Sequence, residues 1–116
     1  MERRKHCRVE VEYHASFSGT FLRAQGVILN LSITGCRARS SFLVDREHSY
    51  GLLIDVPRYE QPLYISHGVV RWSRDEEFGV EFIQMELVDQ RRLCELLRAL
   101  KATNWSRSTD GESHVL

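Results

Sequence analysis

Near the start of the chain lies a cluster of cations of the types that bind phosphate and purine bases. Arg3, Arg4, Lys5 and Arg8 fall within the segment ERRKHCRV, and Arg4 and Arg8 form an R-x-x-x-R pair. A guanidinium group is a planar fork of five donors, which makes two-point hydrogen bonds to phosphate or to the O6/N7 edge of guanine. Two such groups on a flexible segment would form a clamp for a phosphorylated purine. By itself, however, a basic run of this kind is more typical of a solvated terminus.

A second polar cluster, NLSITG, contains Asn30, Ser32 and Gly35. As a structural turn, it would use the Asn and Ser side chains to bond nearby backbone, and glycine would adopt backbone angles that other residues avoid. As a binding site, it would offer the Asn30 carbonyl to a base N–H and the Ser32 hydroxyl to phosphate or base. Gly35 would then let a ligand approach the backbone. The residues alone leave both interpretations open.

Two further groups could extend such a site. Arg37 and Arg39 alternate along the segment after NLSITG, so they would share one strand face and reach a second guanine or phosphate, or form a solvated face. Trp72 could stack on a guanine, although a core or barrel-rim role is more common for an aromatic in a strand. Its neighbours Arg71 and Arg74 would reach ligand or solvent.

These residues need a scaffold, and the alternation of apolar and polar residues predicts six β-strands. In the first, Val9, Val11, Tyr13, Ala15 and Phe17 fall on one face. The predicted strand segments are 8–17, 20–32, 34–44, 50–57, 62–73 and 77–84. Because a small sheet with two open edges is a liability, we expect an all-β fold, a closed six-stranded antiparallel β-barrel.

The hydrophobic period changes after the sixth strand. Over residues 86–102, leucines at 93, 96, 97 and 100 have the i, i+3, i+4, i+7 spacing of an amphipathic helix. This C-terminal α-helix would cover one end of the barrel, and the same stripe would also suit a dimer face or an effector docking site. Residues 103–116 are polar and predict a flexible tail. The domain would therefore span 1–102, with a flexible arginine-rich arm at 1–8.

Composition excludes several classes of function. The 116 residues carry no net charge, which argues against a general polyanion binder. Three cysteines stand far apart without paired spacing, which predicts reduced thiols and no metal site. No run reaches the length of a membrane span, and no nucleophile lies at a telling spacing from a base. We expect a cytoplasmic binding domain without enzymatic activity.

The order and separation of the two polar motifs are more specific than either motif alone. R-x-x-x-R directly precedes the first strand, N-x-S-x-x-G ends the second, and FGVEF (78–82) lies in the last strand before the helix. Together these resemble the PilZ domain, a family of bacterial receptors for cyclic di-GMP. The resemblance covers roughly residues 2–100, with Asn30 where many members have Asp.

This resemblance implies a six-stranded barrel whose N-terminal arm folds over a nucleotide. It implies that Arg4 and Arg8 grip guanine and phosphate, that Asn30 and Ser32 hydrogen-bond the ligand, and that Gly35 supports the backbone. The complete predicted cyclic di-GMP site is Arg3, Arg4, Arg8, Asn30, Ser32, Gly35, Arg37 and Trp72.

The predicted function is therefore a cyclic di-GMP receptor that needs no cofactor. Its ordered arm would change a surface seen by an unknown effector protein. Neither nucleic acid nor membrane is expected as a partner, and the chain would be a monomer or weak dimer. One alternative is a PilZ-like adaptor that binds no nucleotide, which the presence of both motifs disfavours. Another is a small nucleic-acid-binding barrel, which the neutral net charge disfavours.

Overall fold

Six antiparallel strands and one helix make up the fold in the computed structural model, as the sequence predicts. The structure describes residues 8–20, 23–40 and 48–115, with side chains described as far as residue 103. The elements are β1 (Val9–Ser18), β2 (Arg23–Leu31), β3 (Gly35–Arg39), β4 (Ser49–Ile54), β5 (Leu63–Arg74), β6 (Glu77–Gln84) and α1 (Leu87–Val115). The third strand ends earlier than predicted, and the predicted strand residues 41–44 lie outside the described part.

The strands close into a barrel in the order β1-β2-β3-β6-β5-β4. Closure comes from β1 and β4, which pair from Ala15 opposite Ile54 to Ser18 opposite Gly51. Each strand thus has a hydrogen-bonded neighbour on both sides, and no described strand presents an open edge that could pair with another chain.

Alternation along the strands fills the interior. On β1, Val9, Ala15 and Phe17 are buried, and Val11 and Tyr13 are half-buried against the same core, so all five lie on the face that the sequence predicts. Phe17 meets Phe78 of β6 edge to face, with ring centroids 5.4 Å apart. Burying an aliphatic or aromatic side chain contributes about 1.5–3 kcal/mol, so this shared core is the main stabilising term.

Helix α1 packs on the barrel through the predicted leucine stripe. Leu93, Leu96 and Leu97 are buried in the same core, and Leu100 packs against it. The helix runs past the predicted end at residue 102 to Val115. Because the side chains of 104–116 lie outside the described residues, the flexible tail stays a prediction. Nowhere in the described chain is a helix both long enough and apolar enough to cross a bilayer.

A histidine on the outer wall links three strands. His14 of β1 places Nδ1 3.1 Å from a carboxylate oxygen of Asp55, which follows β4, and Nε2 2.8 Å from the side-chain oxygen of Gln25 on β2. Both ring nitrogens face acceptors, so the protonated imidazolium satisfies both contacts. These bonds, first to Asp55 and then to Gln25, raise the pKa of His14 above its usual 6.5.

We predict that this link makes stability depend on pH. The folded pKa is raised, so the contribution is fully present below the unfolded value of about 6.5 and is lost as pH rises through the folded value. Urea unfolding at about pH 5.5 and about pH 8.5 should show a larger loss of unfolding free energy for His14→Gln at the lower pH. Asp55→Asn should reduce the same pH dependence, and an equal loss for His14→Gln at both pH values would contradict the assignment.

Candidate functional site

The two polar motifs meet at the junction of β1, β2 and β3. Arg8, immediately before β1, donates from Nη1 to Oδ1 of Asn30 near the end of β2, at 3.1 Å. The antiparallel pairing of Val9 with Leu31 brings these positions side by side. The structure thus joins one residue of the R-x-x-x-R pair to the first residue of N-x-S-x-x-G. The predicted site residues Arg3 and Arg4 lie outside the described residues.

The side-chain oxygen of Asn30 has a second donor. The backbone N–H of Arg37 on β3 reaches it at 3.0 Å. An amide oxygen has two lone pairs, and Arg8 and Arg37 together fill both. We expected this oxygen to accept from a ligand N–H, whereas in the structure it binds the protein itself. The two donors also fix the orientation of the amide, which directs its two N–H donors elsewhere.

Ser32 holds the turn between β2 and β3. Its side chain is buried, and its hydroxyl accepts from the backbone N–H groups of Thr34 and Gly35, each at 3.2 Å. The hydroxyl also lies 3.2 Å from the Gly35 carbonyl oxygen, to which the Ser32 N–H donates at 2.9 Å. These are the contacts of the structural-turn interpretation. A direct contact from Ser32 to a ligand stays a prediction.

Gly35 allows β3 to approach β6. The two strands pair with Gly35 opposite Glu81, and a Cβ atom on Gly35 would overlap the carbonyl oxygen of Val80. Any side chain here would push the two strands apart. Gly35 therefore sets the distance between β3 and β6.

A cavity of about 290 Å³ opens beside Arg8 on the outer wall formed by β3, β5 and β6. Its charged lining consists of the cations Arg8 and Arg71 and the carboxylate Glu81. Arg71 donates from Nε to Glu81 at 2.7 Å, which neutralises the only carboxylate among the lining residues. The lining therefore carries one net positive charge, which favours an anion.

The Cys36 thiol is not a reactive group. It is buried, which raises its pKa to about 12 although the charge of Arg8 acts in the opposite direction. The thiol therefore stays protonated at neutral pH and is a poor nucleophile. Among the side chains that the structure describes, no three His, Cys, Asp or Glu groups lie together as metal ligands.

Trp72 stands on the outer wall between two cavities. Its indole lies against Gly79 on the neighbouring strand, where a Cβ atom would overlap the ring. The side chain is 41% exposed, so its location is a surface ledge and not the core. Trp72 borders both the cavity beside Arg8 and a larger one of about 750 Å³.

The larger cavity collects the other predicted arginines. Arg37 and Arg39 share the outer face of β3, as predicted, and line this cavity with Arg74. Asp75, Glu76 and Glu77 also line it, so it carries no net charge. Arg37 approaches Glu77 at 3.6 Å, and its buried Nε has no hydrogen-bond partner among the described residues.

Two lining residues, Gly79 and Glu81, were missed by sequence reasoning, whereas Arg71 was named there as a residue that would reach ligand or solvent. Arg71 and Glu81 become neighbours through the register of β5 on β6, and Gly79 supports Trp72 through the same pairing. The segment FGVEF contains both Gly79 and Glu81, but the sequence does not show which residue stands opposite each. The sequence signal for these contacts was limited to an aromatic residue and a glycine on two successive predicted strands.

Comparison with known proteins gives one family. The family model described as the PilZ domain matches residues 2–99. No curated protein matches the chain. Solved structures with less than 25% sequence identity to the chain share its fold.

Three solved structures illustrate that fold. YcgR from Escherichia coli in complex with c-di-GMP matches with a TM-score of 0.77 at 12% identity, over 95% of this chain and 51% of that one. The separate PilZ domain of YcgR from Escherichia coli with c-di-GMP matches with a TM-score of 0.74 at 10% identity, over 93% of this chain and 98% of that one. The Bacillus subtilis inhibitor of motility (MotI/DgrA) matches with a TM-score of 0.68 at 20% identity, over 87% of this chain and 53% of that one. The chain thus spans about half the length of the full YcgR and MotI structures.

We predict that Gly35→Ala destabilises the fold. Its Cβ would meet the backbone of β6, and overpacking of this kind costs about 1–3 kcal/mol. Urea unfolding should show this loss. The matched control is Gly51→Ala on β4, where the nearest atoms would lie 3.8 Å from the new Cβ, and which should stay close to the parent. Equal stability of both variants would contradict the close approach of β3 and β6.

Proposed function

The chain belongs to the PilZ domain family, and from that premise we propose that it is a receptor for cyclic di-GMP. The observation that carries the proposal is the contact between Arg8 and Asn30 beside a cavity with a net positive charge. Cyclic di-GMP is a dianion with two guanine bases, which matches a site built from guanidinium groups and an amide. Two of the solved structures that the chain resembles contain this nucleotide.

Arg8 is the central nucleotide-binding residue in this proposal. One of its N–H donors is used by Asn30, and the remaining fork faces a cavity that it lines. The bond to Asn30 limits the rotamers of a long side chain, so less entropy is lost when a ligand binds. Arg4, four residues earlier, would supply the second half of the clamp, with Arg3 beside it. Ser32 would act mainly by fixing the β2–β3 turn, and Gly35 by allowing β3 to lie close to β6.

The second guanine has a candidate platform in Trp72. The exposed part of its indole lies at the border of the two cavities, and stacking a base on an aromatic ring is worth about 1–3 kcal/mol. Arg37 would then offer its terminal N–H donors to the ligand, with Arg39 beside it. Because the larger cavity has no net charge, these contacts would position a base more than they attract the phosphates.

Asn30 would donate to the ligand. Its oxygen is filled by Arg8 and Arg37, so the amide N–H groups are what it can present. Their partners would be acceptors, namely guanine O6 or N7 or a phosphate oxygen. This differs from the expectation that Asn30 accepts from a base N–H.

Binding would also order the arm. We propose that residues 1–8 fold onto the barrel with the nucleotide and so change a surface that an effector protein sees. Amide hydrogen exchange should slow across residues 2–8 when cyclic di-GMP is added. Unchanged exchange across this segment, under conditions where the nucleotide is bound, would contradict the arm mechanism and leave binding itself intact.

Removing a clamp arginine should weaken binding. Calorimetric titration with cyclic di-GMP should give an affinity near the micromolar range. Arg8→Ala or Arg4→Ala should weaken it at least about tenfold, because a charge-assisted bond contributes about 1.5–3 kcal/mol. Arg98→Ala, which removes an exposed arginine of α1, is the matched control. Absence of heat at tens of micromolar, or tighter binding of single-stranded DNA, would overturn the proposed function.

Replacing Asn30 by Asp tests which of its atoms meets the ligand. Asn30→Asp keeps an acceptor for Arg8 and Arg37 but removes both N–H donors and adds a negative charge. We expect cyclic di-GMP binding to weaken about three- to tenfold, the value of a lost neutral hydrogen bond. Tighter binding would show instead that an Asn30 oxygen accepts from guanine. The unfolding temperature of the variant controls for loss of the Arg8 contact.

A further inference from the structure

A groove lies toward the other end of β5 from the cavity beside Arg8. It has a volume of about 720 Å³ and runs between the β4–β5 connection and the first turns of α1. Strand β5 serves both surfaces, with Tyr64 in the groove and Trp72 at the cavity. Eight residues of strand separate these two, or about 26 Å at 3.3 Å per residue. The groove is therefore a separate surface, and its role does not depend on nucleotide binding.

The groove has a rigid floor made by an ion pair. Asp89 of α1 is buried and accepts from the Tyr64 backbone N–H and from Arg92, each at 3.1 Å. Arg92 also donates to the carbonyl oxygens of Gln61 and Pro62, the latter at 3.1 Å. Its guanidinium carbon lies 4.9 Å from the centroid of the Tyr59 ring. These bonds tie the helix to the connection, so the shape of the groove is fixed before any partner arrives.

The walls above this floor are apolar and uncovered. Leu53 and Tyr64 are cross-strand partners on the outer face of β4 and β5, and Val88 faces them from the first turn of α1. Their exposures are 42%, 39% and 59%, and they are three of the six large exposed hydrophobic side chains among the described residues. An apolar patch with a pre-formed shape is the usual mark of a protein-binding surface.

The charge of the rim indicates the partner. Asp89 and Arg92 neutralise each other, which leaves Glu60 and Glu95 as the unbalanced charges of the lining. Both are exposed. A segment with an apolar anchor flanked by Lys or Arg would fill the groove and meet this rim with opposite charge.

A second copy of the chain fits this surface poorly. In a twofold dimer, groove would face groove, and Glu60 and Glu95 of one copy would lie against the same carboxylates of the other. Such like-charge contacts oppose association. The closed barrel also offers no described strand edge for pairing. The charge pattern therefore favours a different protein over self-association.

We propose that the groove between α1 and the β4–β5 connection binds a basic segment of a partner protein, with an aliphatic or aromatic side chain seated against Leu53, Tyr64 and Val88. The long side chains of its Lys or Arg residues would reach Glu60 and Glu95. The groove would thus be a second partner surface, separate from the surface that the arm is proposed to change.

Selection from a phage-displayed library of random peptides, with the full chain immobilised, tests this proposal. Enriched peptides should carry a Leu, Phe or Tyr flanked by Lys or Arg. A synthetic copy of the most enriched peptide should bind Val88→Glu at least about tenfold more weakly, because a carboxylate would enter the apolar wall. The double variant Glu60→Lys/Glu95→Lys should select peptides with Asp or Glu in place of the basic residues.

Other outcomes would overturn the proposal. These are a lack of enrichment, enriched peptides without basic residues, equal binding to Val88→Glu, or sedimentation showing a dimer that Val88→Glu abolishes. The circular dichroism and unfolding temperature of each variant verify that it is folded. Titration of cyclic di-GMP into the same variants separates the two proposals, since the nucleotide affinity should not change when the groove is altered.

Discussion

The side-chain oxygen of Asn30 joins the parts of the candidate nucleotide site. It accepts from the guanidinium of Arg8 and from the backbone of Arg37, and so ties the start of β1 to β2 and β3. A buried or half-buried acceptor with two satisfied lone pairs is costly to disturb, because each lost bond leaves a polar group without a partner. The position of Arg8 over its cavity, and the direction in which the Asn30 amide points, both follow from this one atom.

The barrel supports this contact by removing freedom from the strands around it. The Ser32 turn fixes the step from β2 to β3, and Gly35 lets β3 lie close against β6. The same pairing places Gly79 beneath Trp72 and Glu81 beside Arg71. Residues distant in the chain therefore line one cavity because the antiparallel register leaves them no other arrangement.

Strand β5 connects that cavity with the groove at α1. One end carries Trp72 and the other carries Tyr64, whose backbone N–H is held by Asp89 of the helix. The two surfaces differ in chemistry. The cavity beside Arg8 has a net positive charge suited to a nucleotide, whereas the groove is apolar with an acidic rim. The two candidate sites are therefore separated along one strand of the barrel wall.

The sequence by itself determined the six strands, the leucine stripe of α1 and the two polar motifs, since these depend on local period and residue type. It also determined the family, through the order and spacing of those motifs. The tertiary structure alone decided that the Asn30 oxygen binds Arg8 and Arg37, that the Ser32 hydroxyl faces its own turn, and that Trp72 stands on the outer wall. Strand register brought Arg71 to Glu81, and helix packing formed the groove. Such pairings join residues far apart in the chain, and alternation shows which face a side chain takes but not which residue lies opposite it.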